Sequence, residues 1–332
     1  MSDSVTILRA PWRRLAKMIR ADGTIIGYDD AKTFDIAEVT IRDLDHLAAI
    51  LGKLLTRPDC CVVRGAVADL ARTSRVRRLI HLDTETGDLP TIRDTNRRWV
   101  GLDVEGVTRP DDIPAADLAG CAAVAIRLLP GEFHSARCIV QATSGHGLKP
   151  GSRLRLWYWA NRPLSGTELS YWLRRSPVDC CLFRAAQPTY TAAPIFETGC
   201  DHLPSRMTML DGAEMVEAPE QEQLQPAKVA PPPPRARRPA SNTEVERMIA
   251  AALFKVEMAG EGQRHQRLRA AARTIGGILD QAGIGEQEAA QALYEAVRRA
   301  GGDAVDGRNA AGTIAWGLAK GRAAPLDLGG RA

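Results

Sequence analysis

Along roughly the first two thirds of the chain, apolar and polar positions switch between two periods. Arg97-Arg98-Trp99-Val100-Gly101-Leu102-Asp103-Val104-Glu105-Gly106 reads as an apolar strand carrying two acids two residues apart. Successive strand side chains point to opposite faces, so Asp103 and Glu105 share one face while Leu102 and Val104 point into the core. Arg153-Leu154-Arg155-Leu156-Trp157-Tyr158-Trp159 alternates in the same way and puts both arginines on one face. Between them, Cys138-Ile139-Val140-Gln141-Ala142 is a β-branched run that ends in a glycine-punctuated polar turn, Thr143 to Gly151. The helical period shows at Asp43 to Leu55, where Leu44, Leu47, Ala48, Leu51, Leu54 and Leu55 form one stripe. It shows again at Ser165 to Leu173, which opens with Ser165 and Glu168 in capping-box spacing.

From Asn242 onward the pattern is helical throughout. Asn242 and Thr243 cap a first helix, and the acids behind them suit its first turn. Three more segments follow, Gln263 to Ala282, Gly285 to Ala300 and Gly307 to Gly321, with glycines at 283, 285, 301 and 302 between them. Residues 212–241 separate the two regimes: Glu- and Gln-rich sequence gives way to Pro231-Pro232-Pro233-Pro234-Arg235-Ala236-Arg237-Arg238-Pro239, an extended spacer. The expected architecture is α+β for residues 1–211, with an open sheet carrying the acid pair, followed by a small helical bundle over 242–332.

Composition agrees with two domains and says little about partners. The chain has 332 residues, 45% of them hydrophobic, and a formal net charge of +4, which permits a nucleic-acid partner without announcing one. Its seven cysteines are an odd number and include adjacent pairs that cannot supply the C-x₂-C spacing of a zinc site. They read as reduced core residues of a cytoplasmic protein, with a zinc site at Cys180, Cys181, Cys200 and His202 as the lesser alternative. No apolar run reaches transmembrane length and the N-terminus lacks a signal-peptide core, so no membrane partner is expected.

Three constellations carry candidate chemistry. Asp103 and Glu105 repel each other unless a cation sits between them, and Mg²⁺ or Mn²⁺ suits such an oxygen-rich pair. The competing account is a solvated strand edge turning into a loop at Gly106. In the turn Ser144-Gly145-His146-Gly147-Leu148-Lys149, glycines let the backbone approach a ligand, Ser144 offers a hydroxyl, His146 a ring N–H and Lys149 a charge. Taken singly, His146 is an ordinary turn histidine and Lys149 a solvated loop charge. Asp179, before Cys180-Cys181-Leu182-Phe183, is either a metal ligand or a helix N-cap.

In this order, Asp-x-Glu on a strand, Ser-x-His after a later strand and a separate Asp resemble the three motifs of the archaeo-eukaryotic primase superfamily. The phrases RRWVGLDVEG, ATSGHGLKPGSRLRLWYWANRPL and VDCCLFRAAQPTYTAAPIF carry a likeness to plasmid and phage primases and primase-polymerases, including those of IncQ-type plasmids. Glu105 stands where many of those proteins have Asp. The resemblance implies a DNA primase that makes primers on single-stranded DNA for replication of a plasmid, phage or other mobile element. Asp103, Glu105 and Asp179 would hold Mg²⁺ or Mn²⁺. Ser144 and His146, with Lys149 and Arg155, would bind the triphosphate of an NTP or dNTP. The stretches RLRAAARTIGGILDQAGIGEQEAAQALYEAV and NAAGTIAWGLAKG resemble the helical domain attached to many mobile-element primases, with Arg264, Arg267, Arg308, Lys320 and Arg322 as candidate phosphate contacts. Trp157 or Trp159 would stack on template bases unless they are core. No G-x-x-x-x-G-K-[ST] is present, so unwinding falls to a separate replicative helicase. The rival readings are a non-catalytic DNA-binding replication initiator and a metal-dependent nuclease.

Overall fold

The computed structural model describes residues 2–84, 86–225, 242–259, 264–301 and 307–326. The chain forms two compact units, Met1–Lys228 and Val229–Ala332. The first is mixed α+β, as the alternation of periods predicts. Its leading half holds strands β1 (Asp3–Arg9), β2 (Met18–Ile19), β3 (Ile25–Ile26) and β4 (Asp35–Ile41), helix α1 (Leu44–Leu55), then β5 (Cys60–Val63), β6 (Ala66–Val67) and β7 (Ile92–Arg93). Next come β8 (Arg97–Val107), α2 (Leu118–Ile126), β9 (Cys138–Ala142), β10 (Ser152–Leu164), α3 (Gly166–Trp172), β11 (Ile195–Phe196) and β12 (Met207–Leu210). A four-stranded antiparallel sheet runs β12-β9-β10-β8, and a second, three-stranded one runs β4-β1-β5.

Apolar surface explains the layering. In α1, Leu44, Leu47, Leu51 and Leu54 fall on one face and are all buried, and the Asp43 carboxylate caps the first turn by accepting from the His46 N–H at 2.7 Å. At about 2 kcal/mol per leucine, burying that stripe favours the docked helix by about 8 kcal/mol before entropy is subtracted. It shares one core with Val5 and Val62 of the smaller sheet and with Trp99, Ile139, Trp157 and Trp159 of the larger. The opposite face of the larger sheet, carrying Val100, Leu102, Val104, Val140, Leu154, Leu156 and Tyr158, packs on α2. The sheet is therefore covered on both sides along most of its length. Gly101, opposite Trp157 in the register, makes this possible: a Cβ there would lie 2.9 Å from the indole Cζ3.

Several expectations need revision. Trp157 and Trp159 are core residues, 0% and 6% exposed, so neither offers a stacking face. Part of the expected linker is packed structure: Val216 bridges to Ala160, and Val216 and Leu224 are buried in the α2-side core. Residues 226–241, with the proline run, lie outside the described residues. Cys60, Cys61, Cys121 and Cys138 are buried free thiols, but Cys180 is half-buried and Cys181 and Cys200 are exposed, so the core reading does not hold for those three. Among the described residues no three His, Cys, Asp or Glu side chains converge as a metal cage, which removes the zinc alternative at Cys180, Cys181, Cys200 and His202.

The second unit is a small helical bundle: α4 (Asn242–Glu257), α5 (Arg264–Gly276), α6 (Leu279–Ala282), α7 (Glu286–Gly301) and α8 (Gly307–Arg322). The segment read as one helix from 263 to 282 breaks after Gly276, and its last turn ends at Gly283 in the left-handed region. Leu268, Ala272, Ile275, Leu293, Ile314 and Leu318 form the bundle core. Gly317 lets α8 lie against α5, since a Cβ there would sit 2.4 Å from that of Ala272. Among the described residues no helix is long and apolar enough to cross a membrane.

Candidate functional site

The end of β8 emerges beside the turn that follows β9, and a narrow pocket opens there. Asp103, Glu105, Gln141, Thr143, Ser144, Arg155, Lys17, Tyr28 and Tyr190 line it. Strand alternation brings the acids to one face, and the β8–β10 register does the rest. Arg155 pairs opposite Asp103 and Arg153 opposite Glu105, so each acid meets an arginine on the neighbouring strand. Arg155 Nη2 lies 3.1 Å from Asp103 Oδ2, and Arg153 Nη1 lies 2.8 Å from Glu105 Oε2. Arginine thus supplies the cation that the acid pair requires.

The pairing is incomplete at the pocket's inner wall. Asp103 Oδ1, Thr143 Oγ1 and Arg155 Nε are buried without a hydrogen-bond partner among the described residues. Such orphans are uncommon in a folded interior, and three of them meet at this one wall. The other half of Arg155 donates from Nη1 to the Tyr190 carbonyl at 2.7 Å, and Gln141 donates to the Thr191 carbonyl at 2.7 Å, so both pin the segment carrying Tyr190. Tyr190 stacks on Tyr28 with ring centroids 3.6 Å apart, and Lys17 Nζ lies over the Tyr28 ring. Burial, against the opposing charge of Arg155 and helped by Tyr190, Asp103 and Glu105, pushes the Tyr28 phenol up to about 12, so it is neutral. The free volume is only about 40 Å³, room for a water or two. Any triphosphate would lie across the mouth.

The remaining sequence candidates divide. Ser144 lines the pocket, and its hydroxyl makes no hydrogen bond among the described residues. His146 does not line it: it is 1% exposed, with Nε2 donating to the Ala115 carbonyl at 2.8 Å and Nδ1 accepting from the Arg153 N–H at 3.1 Å. Burial holds its pKa below the ordinary 6.5 against the opposing hydrogen bond from Ala115, and the Arg109 and Arg206 charges lower it further. A neutral ring with both nitrogens committed to backbone is a clamp that fixes the Ser144 turn to β10. Lys149 is exposed and outside the pocket lining.

Asp179 is an N-cap, its Oδ1 accepting from the Cys181 N–H at 2.9 Å at the head of the 3-10 turn Cys180–Phe183. Its backbone nevertheless joins the exposed edge of β8: Val178 bridges antiparallel to Val104, and the Asp179 N–H donates to the Asp103 carbonyl at 3.0 Å. Asp179 is thus opposite Asp103 along the strand, but the three carboxylates do not converge on one point. Asp103, Glu105 and Thr143 carry oxygen donors of the kind a hard divalent cation takes, and of these Asp103 Oδ1 and Thr143 Oγ1 have no hydrogen-bond partner among the described residues.

Sequence reading missed Lys17, Tyr28, Gln141, Thr143 and Tyr190. Gln141 and Thr143 stood in the quoted strand and turn, and a polar Gln inside an apolar strand was the available signal. Lys17, Tyr28 and Tyr190 come from segments without periodicity, which only the tertiary fold brings here. Comparisons of this chain with protein-family models, curated proteins and solved structures found no match.

Proposed function

We propose that this chain is a template-directed nucleotidyltransferase, a DNA primase acting on single-stranded DNA with NTP or dNTP substrates. The observation that supports the reading is the pocket itself: an acid pair with an orphaned carboxylate oxygen, beside a hydroxyl-bearing turn and the cations Lys17 and Arg155. Asp103 and Glu105 hold Mg²⁺ or Mn²⁺ in this account, while Asp179, opposite Asp103 in register, caps its own 3-10 turn and stays outside the metal site. A divalent cation in that place supplies charge neutralisation at the reacting phosphate and activation of the attacking 3′-hydroxyl. The chain's own groups bind and orient. Ser144 donates to a phosphate oxygen, Lys17 and Arg155 balance the triphosphate charge, and His146 keeps the turn in place.

Primer synthesis on unprimed single-stranded DNA, with all eight nucleotides and either Mg²⁺ or Mn²⁺, tests this. Labelled oligomers are expected from the native chain. Yield should fall about 100-fold or more for Asp103→Asn combined with Glu105→Gln, substitutions that keep shape and remove charge. Equal, background-level yield from both would sink the catalytic reading. One observation favours a second account, a non-catalytic replication initiator: both acids already have arginine partners, and a cross-strand ion pair needs no metal. On that account the same variant binds DNA as the native chain does and neither makes product.

A further inference from the structure

A second cleft, of about 770 Å³, lies elsewhere on the first unit and is lined by Pro11, Trp12, Arg13, Lys32, Phe34 and Arg75, among others. Trp12 is 98% exposed, the most exposed large apolar side chain among the described residues. It sits in a turn closed by the Arg13 N–H donating to the Ala10 carbonyl at 3.1 Å, with Pro11 at the second position and Trp12 at the third, φ +65°. A positive φ at the third position is the type II signature, where glycine normally stands. Among the described residues the non-glycine residues with positive φ are Trp12 and Arg75, and both line this cleft. An indole that is fully in water and held in a costly backbone state contributes nothing to packing.

The charges around it are unequal. Arg13, Lys32 and Arg75 are exposed, and among the described residues none of them forms an ion pair within 4.0 Å. The lining holds two acids against these three cations, Asp30 and Asp35, the latter accepting from Ser74 Oγ at 2.9 Å and from the Arg75 N–H at 3.0 Å. The ribbon that bears Trp12 and Lys32 also supplies Lys17 and Tyr28 to the acid pocket. It is tied across its width at Arg14 and Asp29, where a side-chain pair at 3.2 Å adds to backbone hydrogen bonds.

We infer that this cleft is a binding site for single-stranded DNA, with an unpaired base stacked on the Trp12 indole and the neighbouring phosphates met by Arg13, Lys32 and Arg75. A solvent-facing aromatic among unpaired cations is what a strand with exposed base faces and a charged backbone requires; a duplex, whose bases are already stacked, offers nothing to the indole. For the identity of that strand as template the inference rests on the function proposed above. It replaces Trp157 and Trp159 as the stacking residues.

The test is fluorescence anisotropy of the full chain with a labelled oligothymidylate of about 20 nucleotides, without nucleotide or metal. Trp12→Ala is expected to weaken binding about 10-fold and Trp12→Phe to recover most of it, the range of a lost base–aromatic stack. Tryptophan emission of the native chain should be quenched by the oligonucleotide, and that quench should be missing from Trp12→Ala. Arg13→Ala with Lys32→Ala should reduce the slope of log affinity against log salt by about 1.4, two phosphate contacts on a single strand. Affinity within twofold of native for Trp12→Ala, with the salt slope of the double variant unchanged, overturns the proposal. So does a dimer of the native chain that Trp12→Ala dissolves while oligonucleotide affinity stays the same, since the face is then an interface between copies. The two readings separate cleanly. Primers made by a Trp12→Ala chain with native affinity reject the cleft alone, and lost binding in a chain that never made primers rejects the catalysis alone.

Discussion

At Trp12, backbone and side chain make opposite demands. The left-handed state costs an L-residue about 1–2 kcal/mol, and glycine avoids that while losing about 0.5–1 kcal/mol of chain entropy. Trp12→Gly is therefore expected to raise the unfolding free energy by about 0.5–1 kcal/mol in urea denaturation while it removes the stacking face, so one substitution moves stability and DNA affinity in opposite directions. His146 makes a different kind of demand. Its folded pKa lies below the unfolded value, so the unfolded chain binds more protons as the pH falls through 6.5. Its contribution is complete above that pH and is lost below it, towards the folded value. The native chain should lose more stability between about pH 7 and 5.5 than His146→Asn, which keeps an acceptor for the Arg153 N–H and does not titrate. A parallel slope in the two would show that the ring is not buried neutral.

Between elements, the register of β8 on β10 decides the chemistry. A slip of one residue would send Asp103 and Glu105 into the α2-side core, so the apolar face of each strand fixes which arginine meets which acid. Arg155→Met is expected to cost about 3 kcal/mol in urea denaturation, because Asp103 is then left largely buried and unpaired. Much of this scale could be read in the chain. The α1 stripe, the capping box on α3 and the alternation in β8 and β10 are local patterns; α1, α3 and β8 stand within a residue or two of where the pattern puts them, while β10 runs on past Trp159 to Leu164. The arginine partners could not be read, although both arginines were seen to share a face: their opposition to the acids depends on pairing between strands far apart in sequence. Trp157 was ambiguous for the same reason, because only Gly101 across the ladder reveals that its ring lies in the core. The break after Gly276 falls at the Gly276-Gly277 pair, which the reading of one helix from 263 to 282 passes over.

Across the whole molecule, the acid pocket draws on segments from Lys17 to Tyr190, while the bundle keeps its own core. Its described candidate phosphate contacts stand mostly on exposed helix faces, and Arg322 already meets Glu286 at 3.0 Å. The side chain of Arg308 lies outside the described residues. The change of composition near residue 212 resembles a domain boundary, yet Val216 and Leu224 belong to the core of the first unit. For anyone isolating that unit, the place to stop the chain follows from this. A fragment ending at Asp211 gives up two buried side chains, worth about 2 kcal/mol each, and the bridge from Val216 to Ala160. A fragment ending at Gln225 keeps them. The shorter fragment should melt several degrees lower or fail to fold, and equal melting temperatures would show that the segment is dispensable.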